Sequence, residues 1–439
     1  MTIKKGFKLP LVLSGALLSL IMFFFILFTA EGVGIQREDV LLTSVLFSAV
    51  YLGATMFFVK EQGDRLFNLV FIWAAVAALI YMRVALLSHP ARDYNVFLSD
   101  WLSKMRELDG VEPLVQKIGD YNMPYLYFLF IISKLKLNDL ILIKWLSCIF
   151  DLLAAVFMMK IVSLKSKSTV LNFSAFILTL ALPTVLLNGS YWGQCDSILA
   201  ALCIGAIYFI LKGKTSASIV LYALAFSFKL QAVFILPFMI VLCIIKKASP
   251  IKLLLFPAVF LATLLPALFA GRPFIDCIRI YFDQAGQYPY MSLNSPSLWQ
   301  IFENAPIENF NSVAVMLSGL VVISLIAVCL KYKDRIDLSA QVELAYLSAV
   351  LIPFFLPRMH DRYFFIADIL SLGVFFFKRK KWYVPFVTQL ASLNCYSYYL
   401  FGGALILPYN YATLALFVVL VISLKDFVIR ISGKEQMKI

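Results

Sequence analysis

Charge is scarce in this chain. Only 14% of its 439 residues are Asp, Glu, Lys or Arg, while 62% are hydrophobic. Soluble domains carry about a quarter charged residues, so the shortage excludes an ordinary cytosolic enzyme, a disordered tail and a collagen-like fibre. Short segments alternating apolar with polar residues are also missing, which excludes an outer-membrane barrel. The apolar runs are instead continuous over about 15 to 23 residues, the length a helix needs in hydrocarbon. Histidine is reduced to two residues, His89 and His360, and cysteine to an odd seven. Cys148, Cys203, Cys243, Cys329 and Cys395 fall inside apolar runs, where small buried thiols are expected rather than a disulfide framework. There is no internal repeat, which weakens a reading as a transporter built from inverted halves. The run from Leu9 to Thr29, behind Lys4, Lys5 and Lys8, lacks a small-residue cleavage site and reads as an uncleaved first helix.

What is present predicts an all-α polytopic membrane protein. Apolar segments fall at about 9–29, 40–59, 66–88, 140–162, 169–188, 195–212, 215–229, 231–246, 251–270, 312–331, 341–357, 362–377, 382–401 and 406–424. Residues 123–136 are apolar but short, and charge decides their place. If they do not cross, the loops around Lys60, Lys165, Lys214, Lys246, Lys331 and Lys378 all face the cytoplasm; if they cross, the later basic loops face outward. The expectation is a partly inserted helix, about fourteen spans in a plasma membrane, and both termini inside. The net charge of +13 is then loop charge rather than a nucleic-acid footprint. Four regions follow: a helix pair at 1–65, a module at 66–270 with a first outer loop at 88–122, an outer loop at 271–311, and C-terminal helices at 312–439.

This orientation places the polar and aromatic segments on the outer face, which argues against ATP or nucleotide-sugar chemistry. Asp93, just after the third span, sits where a half-desolvated carboxylate can act as a general base on a sugar hydroxyl; the alternative is an interfacial cap. Asp100, Glu107, Asp109 and Glu112 read as the solvated face of helices lying along the membrane, with Phe97, Leu98, Trp101, Leu102 and Leu108 on the buried side. Asp120 either caps the short helix or acts directly. Between Asn188 and Asp196, Trp192 can stack on a sugar and Gln194 and Asp196 can bind hydroxyls, or Trp192 is a belt residue and Asp196 a cap. Lys229 and Gln231 stand at the recessed apex of a short hairpin, where a charge is expensive. Arg358, His360 and Arg362 form the densest outer cationic patch, suited to a phosphate or to lipid headgroups. Tyr281, Gln284, Tyr288, Tyr290, Asn294 and Trp299 suit carbohydrate faces, or an interfacial helix. The outer Asp residues can in principle hold a divalent metal, but no tight cluster demands one.

Together, Asp93-Tyr94 with Trp101, Asp120-Tyr121-x-x-Pro124, Tyr191-Trp-Gly-Gln-Cys-Asp-Ser197, Phe228-Lys229 with Pro237, and His360-Asp-Arg362 resemble the GT-C superfamily of integral membrane glycosyltransferases. The resemblance is to bacterial proteins related to the GPI-anchor mannosyltransferases and the dolichyl-phosphate-glucose glucosyltransferases. It spans about residues 80 to 400 in family order, through short blocks. It implies a polyprenyl-phosphate sugar as donor, a glycan or glycolipid as acceptor, and an inverting hexosyl transfer with Asp93 as base; the abundance of Lys, Ile and Phe, a bacterial trait, points to undecaprenyl phosphate as the carrier, and the sequence requires no cofactor. Asp120 and Tyr121, then Trp192, Gln194 and Asp196, correspond to acceptor and sugar contacts; Arg358, His360, Arg362 and Lys229 correspond to donor phosphate contacts. The last block departs from the family's His-Glu-Lys, since Asp361 and Arg362 keep the charges but not the reach. Rival readings are a lipid-linked oligosaccharide flippase and a polysaccharide polymerase or ligase.

Overall fold

The structure is a computed structural model that describes residues 66–286, 288–302, 307–403 and 405–433. The expected helix pair within 1–65 lies outside them. The described chain is mostly α-helical, and each apolar segment read from the sequence between 66 and 424 is helical at its core.

Local chemistry sets the boundaries. The side chains of Asn138, Ser168 and Asp337 accept hydrogen bonds from the backbone N–H groups of Ile141, Leu171 and Ala340, starting helices Asp139–Ser163, Thr169–Ala181 and Leu338–Phe355. Helix Thr169–Ala181 stops before Pro183, and the chain bends there by 53° into Pro183–Trp192. Among the described residues five helices are long and apolar enough to cross a membrane, or six if that bent pair counts as one. Helix Met123–Lys134 has 12 residues, which at 1.5 Å per residue reaches about 18 Å and falls short of the hydrocarbon thickness. Its end folds back toward the loop, where Lys134 Nζ donates to the carbonyls of Met105 and Leu108 at 3.3 and 3.1 Å.

Helix Asp196–Leu211 is buried along nearly its whole length and packs against Asp139–Ser163 and Thr215–Phe228. The segments 250–270 and 310–331 are different: only 11% and 22% of their most apolar windows are buried. They turn Leu261, Phe269, Met316 and Ile323 outward, as a lipid-facing surface allows.

A charged knot fastens one end of the C-terminal helices. Glu343, 1% exposed, accepts from Lys378, Lys381 and Arg430 at 3.2, 2.5 and 2.6 Å. It joins helix Leu338–Phe355 to the Lys378–Lys381 turn and to helix Tyr409–Ser432. Removing one partner of a buried ion pair strands the others without compensation. Glu343→Gln is expected to cost roughly 3 kcal/mol, the lower end for such a loss, because Lys378 and Arg430 retain some water. Reversible unfolding in mixed micelles measures this, and wild-type stability in the variant would refute the knot.

Candidate active site

Helix Leu66–Leu87 ends where Lys144 Nζ donates to the carbonyls of Leu86 and His89 at 2.9 and 2.5 Å. The chain becomes helical again at Arg92, passes through a π-helical turn at Tyr94–Leu98 and continues as helix Ser99–Glu107. The wide i→i+5 turn displaces the side-chain register, as π segments at functional sites do. Phe97, expected on the buried side of an α-helix, is consequently 46% exposed. Leu98 and Leu102 do face the core, and Asp100, Glu107, Asp109 and Glu112 face outward as expected.

Asp93 makes no cap bond to its helix; its carboxylate is used elsewhere. Oδ2 accepts from Trp192 Nε1 at 3.0 Å and from Gln194 Nε2 at 2.5 Å, and Oδ1 accepts from the Tyr399 hydroxyl. The first two donors come from a second π turn, Leu187–Trp192, and the residues after it. Gly193 has φ +77°, and a Cβ there would lie 3.1 Å from the Lys144 side chain. A residue without a side chain is therefore needed for the chain to turn and bring Gln194 up to Asp93.

Lys229 is an extended residue separating helix Thr215–Phe228 from the 3-10 turn Leu230–Ile235. Its ammonium pairs with Asp196 Oδ1, and Arg362 Nε lies 3.3 Å from Asp196 Oδ2. Arg362 also reaches Asp361 at 3.6 Å and lies 5.3 Å from the Trp192 ring centre. The segment carrying Arg362 is stitched to residues 288–302 by two short strands, β1 (Ser292–Leu293) and β2 (Met359–His360), which pair in parallel. Arg358 enters β2 with φ +62°, and its N–H donates to Met291 O at 2.8 Å.

These segments enclose one cavity of about 640 Å³, within the usual range for small-molecule sites. It brings Asp93 together with Lys229, His360, Asp361 and Arg362; aromatic lining comes from Phe97, Trp101, Tyr121, Tyr288, Tyr290 and Tyr399. Asp120 lines it too, exposed, its carbonyl accepting from Gln284 Nε2 at 2.6 Å. The expected capping role does not fall to Asp120, because Asn122 occupies the N-cap position of helix Met123–Lys134. Tyr121 donates to Gln194 Oε1 at 3.4 Å.

Four expected contacts are placed differently. Trp192 is 1% exposed and stacked on Tyr399 at 4.8 Å, which leaves no face for a sugar. Gln194 and Asp196 are buried and occupied, the first by Asp93 and the second by two cations. Arg358 is not among the residues that line the cavity. Sequence reasoning missed Tyr399. It stands in a run with Tyr396 and Tyr398 that is indistinguishable from a membrane-interface girdle.

Electrostatics assign protonation. Burial and the neighbouring Arg362 and Lys229 charges push the His360 imidazole well below its ordinary pKa, so it is neutral near pH 7. It packs against Tyr288 and Tyr363 with ring centres 4.9 and 5.0 Å away. The cationic charge expected of His360 therefore belongs to Arg362 and Lys229. Burial raises the Asp361 carboxyl to about 7, and one of its oxygens is buried without a hydrogen-bond partner.

No family model matches this sequence, and no curated protein matches it.

Proposed function

We propose that this protein is a membrane glycosyltransferase that moves a hexose, mannose or glucose, from a polyprenyl-phosphate carrier to a glycan or lipid-linked acceptor. The observation that carries the reading is the shared cavity: a carboxylate held by three donors opens onto the same space as Arg362 and Lys229. The sequence resemblance to GT-C enzymes supports the same reading, with about fourteen spans, cytoplasmic termini and a site facing away from the cytoplasm as its topology.

In this reaction the acceptor oxygen attacks the anomeric carbon while its proton passes to Asp93. The bond from that carbon to the phosphate oxygen breaks, and its electron pair leaves with polyprenyl phosphate, with inversion expected from the direct displacement. The departing phosphate is stabilised by the Arg362 guanidinium and the Lys229 ammonium, fixed cations in a site shielded from water. Neutral His360 offers a hydrogen bond to the same oxygens. No cofactor enters the balance. Undecaprenyl phosphate is the proposed carrier.

Purified protein incubated with a polyprenyl-monophosphate sugar and acceptor should release polyprenyl phosphate. A polymerase or ligase would instead require a diphosphate donor, and a flippase would move the lipid without cleaving it. The flippase is disfavoured by the loops expected on the opposite face, which are short, dominated by Lys and poor in residues suited to a sugar.

Binding of the donor phosphate should depend on pH in a defined direction. An arriving anion favours protonated His360, and protonating Asp361 removes a negative charge beside Arg362. Affinity is thus expected to rise as pH falls through about 7, where Asp361 titrates. Asp361→Asn should flatten most of that slope. Binding of a polyprenyl-phosphate sugar, a phosphodiester that does not itself titrate in this range, followed by calorimetry between pH 6 and 8, reads it; a rise in affinity with pH would exclude the assignment.

A further inference from the structure

An ionised carboxylate has about four lone-pair positions, and the hydrogen bonds at Asp93 occupy them unevenly. Trp192 Nε1 and Gln194 Nε2 both donate to Oδ2, whereas Tyr399 alone donates to Oδ1. Tyr399 is bound in turn: its ring stacks on Trp192 at 4.8 Å with an interplanar angle of 21°. The three donors arise from two segments far apart in sequence, the Leu187–Trp192 turn with its sequel and helix Tyr383–Leu400. Neither segment supplies a hydrogen bond that fixes Oδ1 and Oδ2 together, so the orientation of the carboxylate depends on their meeting.

From this geometry we infer that Tyr399, acting with Trp192 and Gln194, is a positioning residue that presents one remaining lone pair, on Oδ1 of Asp93, to the acceptor hydroxyl. The inference rests on the glycosyl-transfer reading for its catalytic half. The acceptor proton lands on Oδ1, and the Tyr399 hydroxyl keeps its own proton throughout. Trp192, expected to hold a sugar, instead holds the base. The site requires this arrangement because a carboxylate free to rotate would offer either oxygen at several angles, and a misplacement on the order of 1 Å costs about 10²-fold in rate.

Tyr399→Phe keeps the ring that stacks on Trp192 and deletes the donor. The expected result is a loss of about 10- to 100-fold in kcat with the donor KM within about twofold of wild type. Gln194→Leu should give the same split by leaving Oδ2 to Trp192 alone. Tyr398→Phe, on the same helix but outside the cavity lining, serves as the control and should match wild type. A second readout needs no turnover: the carboxylate stretch of Asp93, isolated as the infrared difference between wild type and D93N, should shift in Tyr399→Phe and stay put in Tyr398→Phe. An unmoved band, or a raised KM with kcat intact, overturns the inference. If the band moves in a wild-type protein that transfers nothing from any polyprenyl-phosphate sugar, the hydrogen bond stands, but the catalytic role falls with the glycosyltransferase reading.

Discussion

Asp93→Asn is expected to abolish detectable transfer while leaving the protein folded. A positioned general base contributes roughly 10²- to 10⁴-fold, and the amide cannot take the acceptor proton. The fold should tolerate the change because the amide is nearly the same shape. Its oxygen can still accept from Trp192 and Gln194, and the Tyr399 hydroxyl can turn to accept from the new N–H. Measured release of polyprenyl phosphate, set beside the melting temperature in detergent, separates the two effects. Near-wild-type turnover in this variant would remove Asp93 from the mechanism.

The second large effect is expected at Asp196, in the opposite sense. Asp196 does not line the cavity; 3% exposed, it lies between two cations. Asp196→Asn leaves the Lys229 ammonium and the Arg362 guanidinium facing each other in a nearly dry site. Breaking a buried ion pair from one side costs about 3–5 kcal/mol, so this variant should be far less stable than Asp93→Asn, although both replace an Asp lining or backing the same cavity. Denaturant midpoints in mixed micelles decide it. Equal stability of Asp196→Asn and wild type would mean that the ion pairs do not form. Polyprenyl phosphate should partly restore the variant, because it binds the folded state and supplies a replacement negative charge.

The helices were legible because their signal is local. A continuous apolar run, a capping Asn, Ser or Asp, and a proline at the break are enough to place Asp139–Ser163, Thr169–Ala181 and Leu338–Phe355 within a few residues. Asp93 and the 360–362 block were legible for a related reason: a charge at the end of an apolar helix is conspicuous. What the sequence hid was the pairing of distant residues. Nothing in the run around Tyr396 indicates that Tyr399 reaches a carboxylate 306 positions away. The role of Trp192 is not legible from sequence because an indole signals both a sugar platform and a hydrogen-bond donor, and only burial distinguishes them. Phe97 was misplaced by a π turn, which no α-helical period foresees. The pairing of β1 with β2 involves two residues on each side, too few for any alternation to show.

That small ladder determines how the specificity of such a protein could be redesigned. The segment 288–302 contributes Tyr288, Tyr290 and Asn294 to the cavity, and its strand is registered residue for residue on the one that carries His360. A chimaera that imports this loop from another protein without its companion strand would arrive with mismatched register and a displaced imidazole. Transplanting a new cavity lining therefore means moving both segments as a cassette, the paired Ser292 and Met359 lying 67 residues apart in the chain and contiguous only in space.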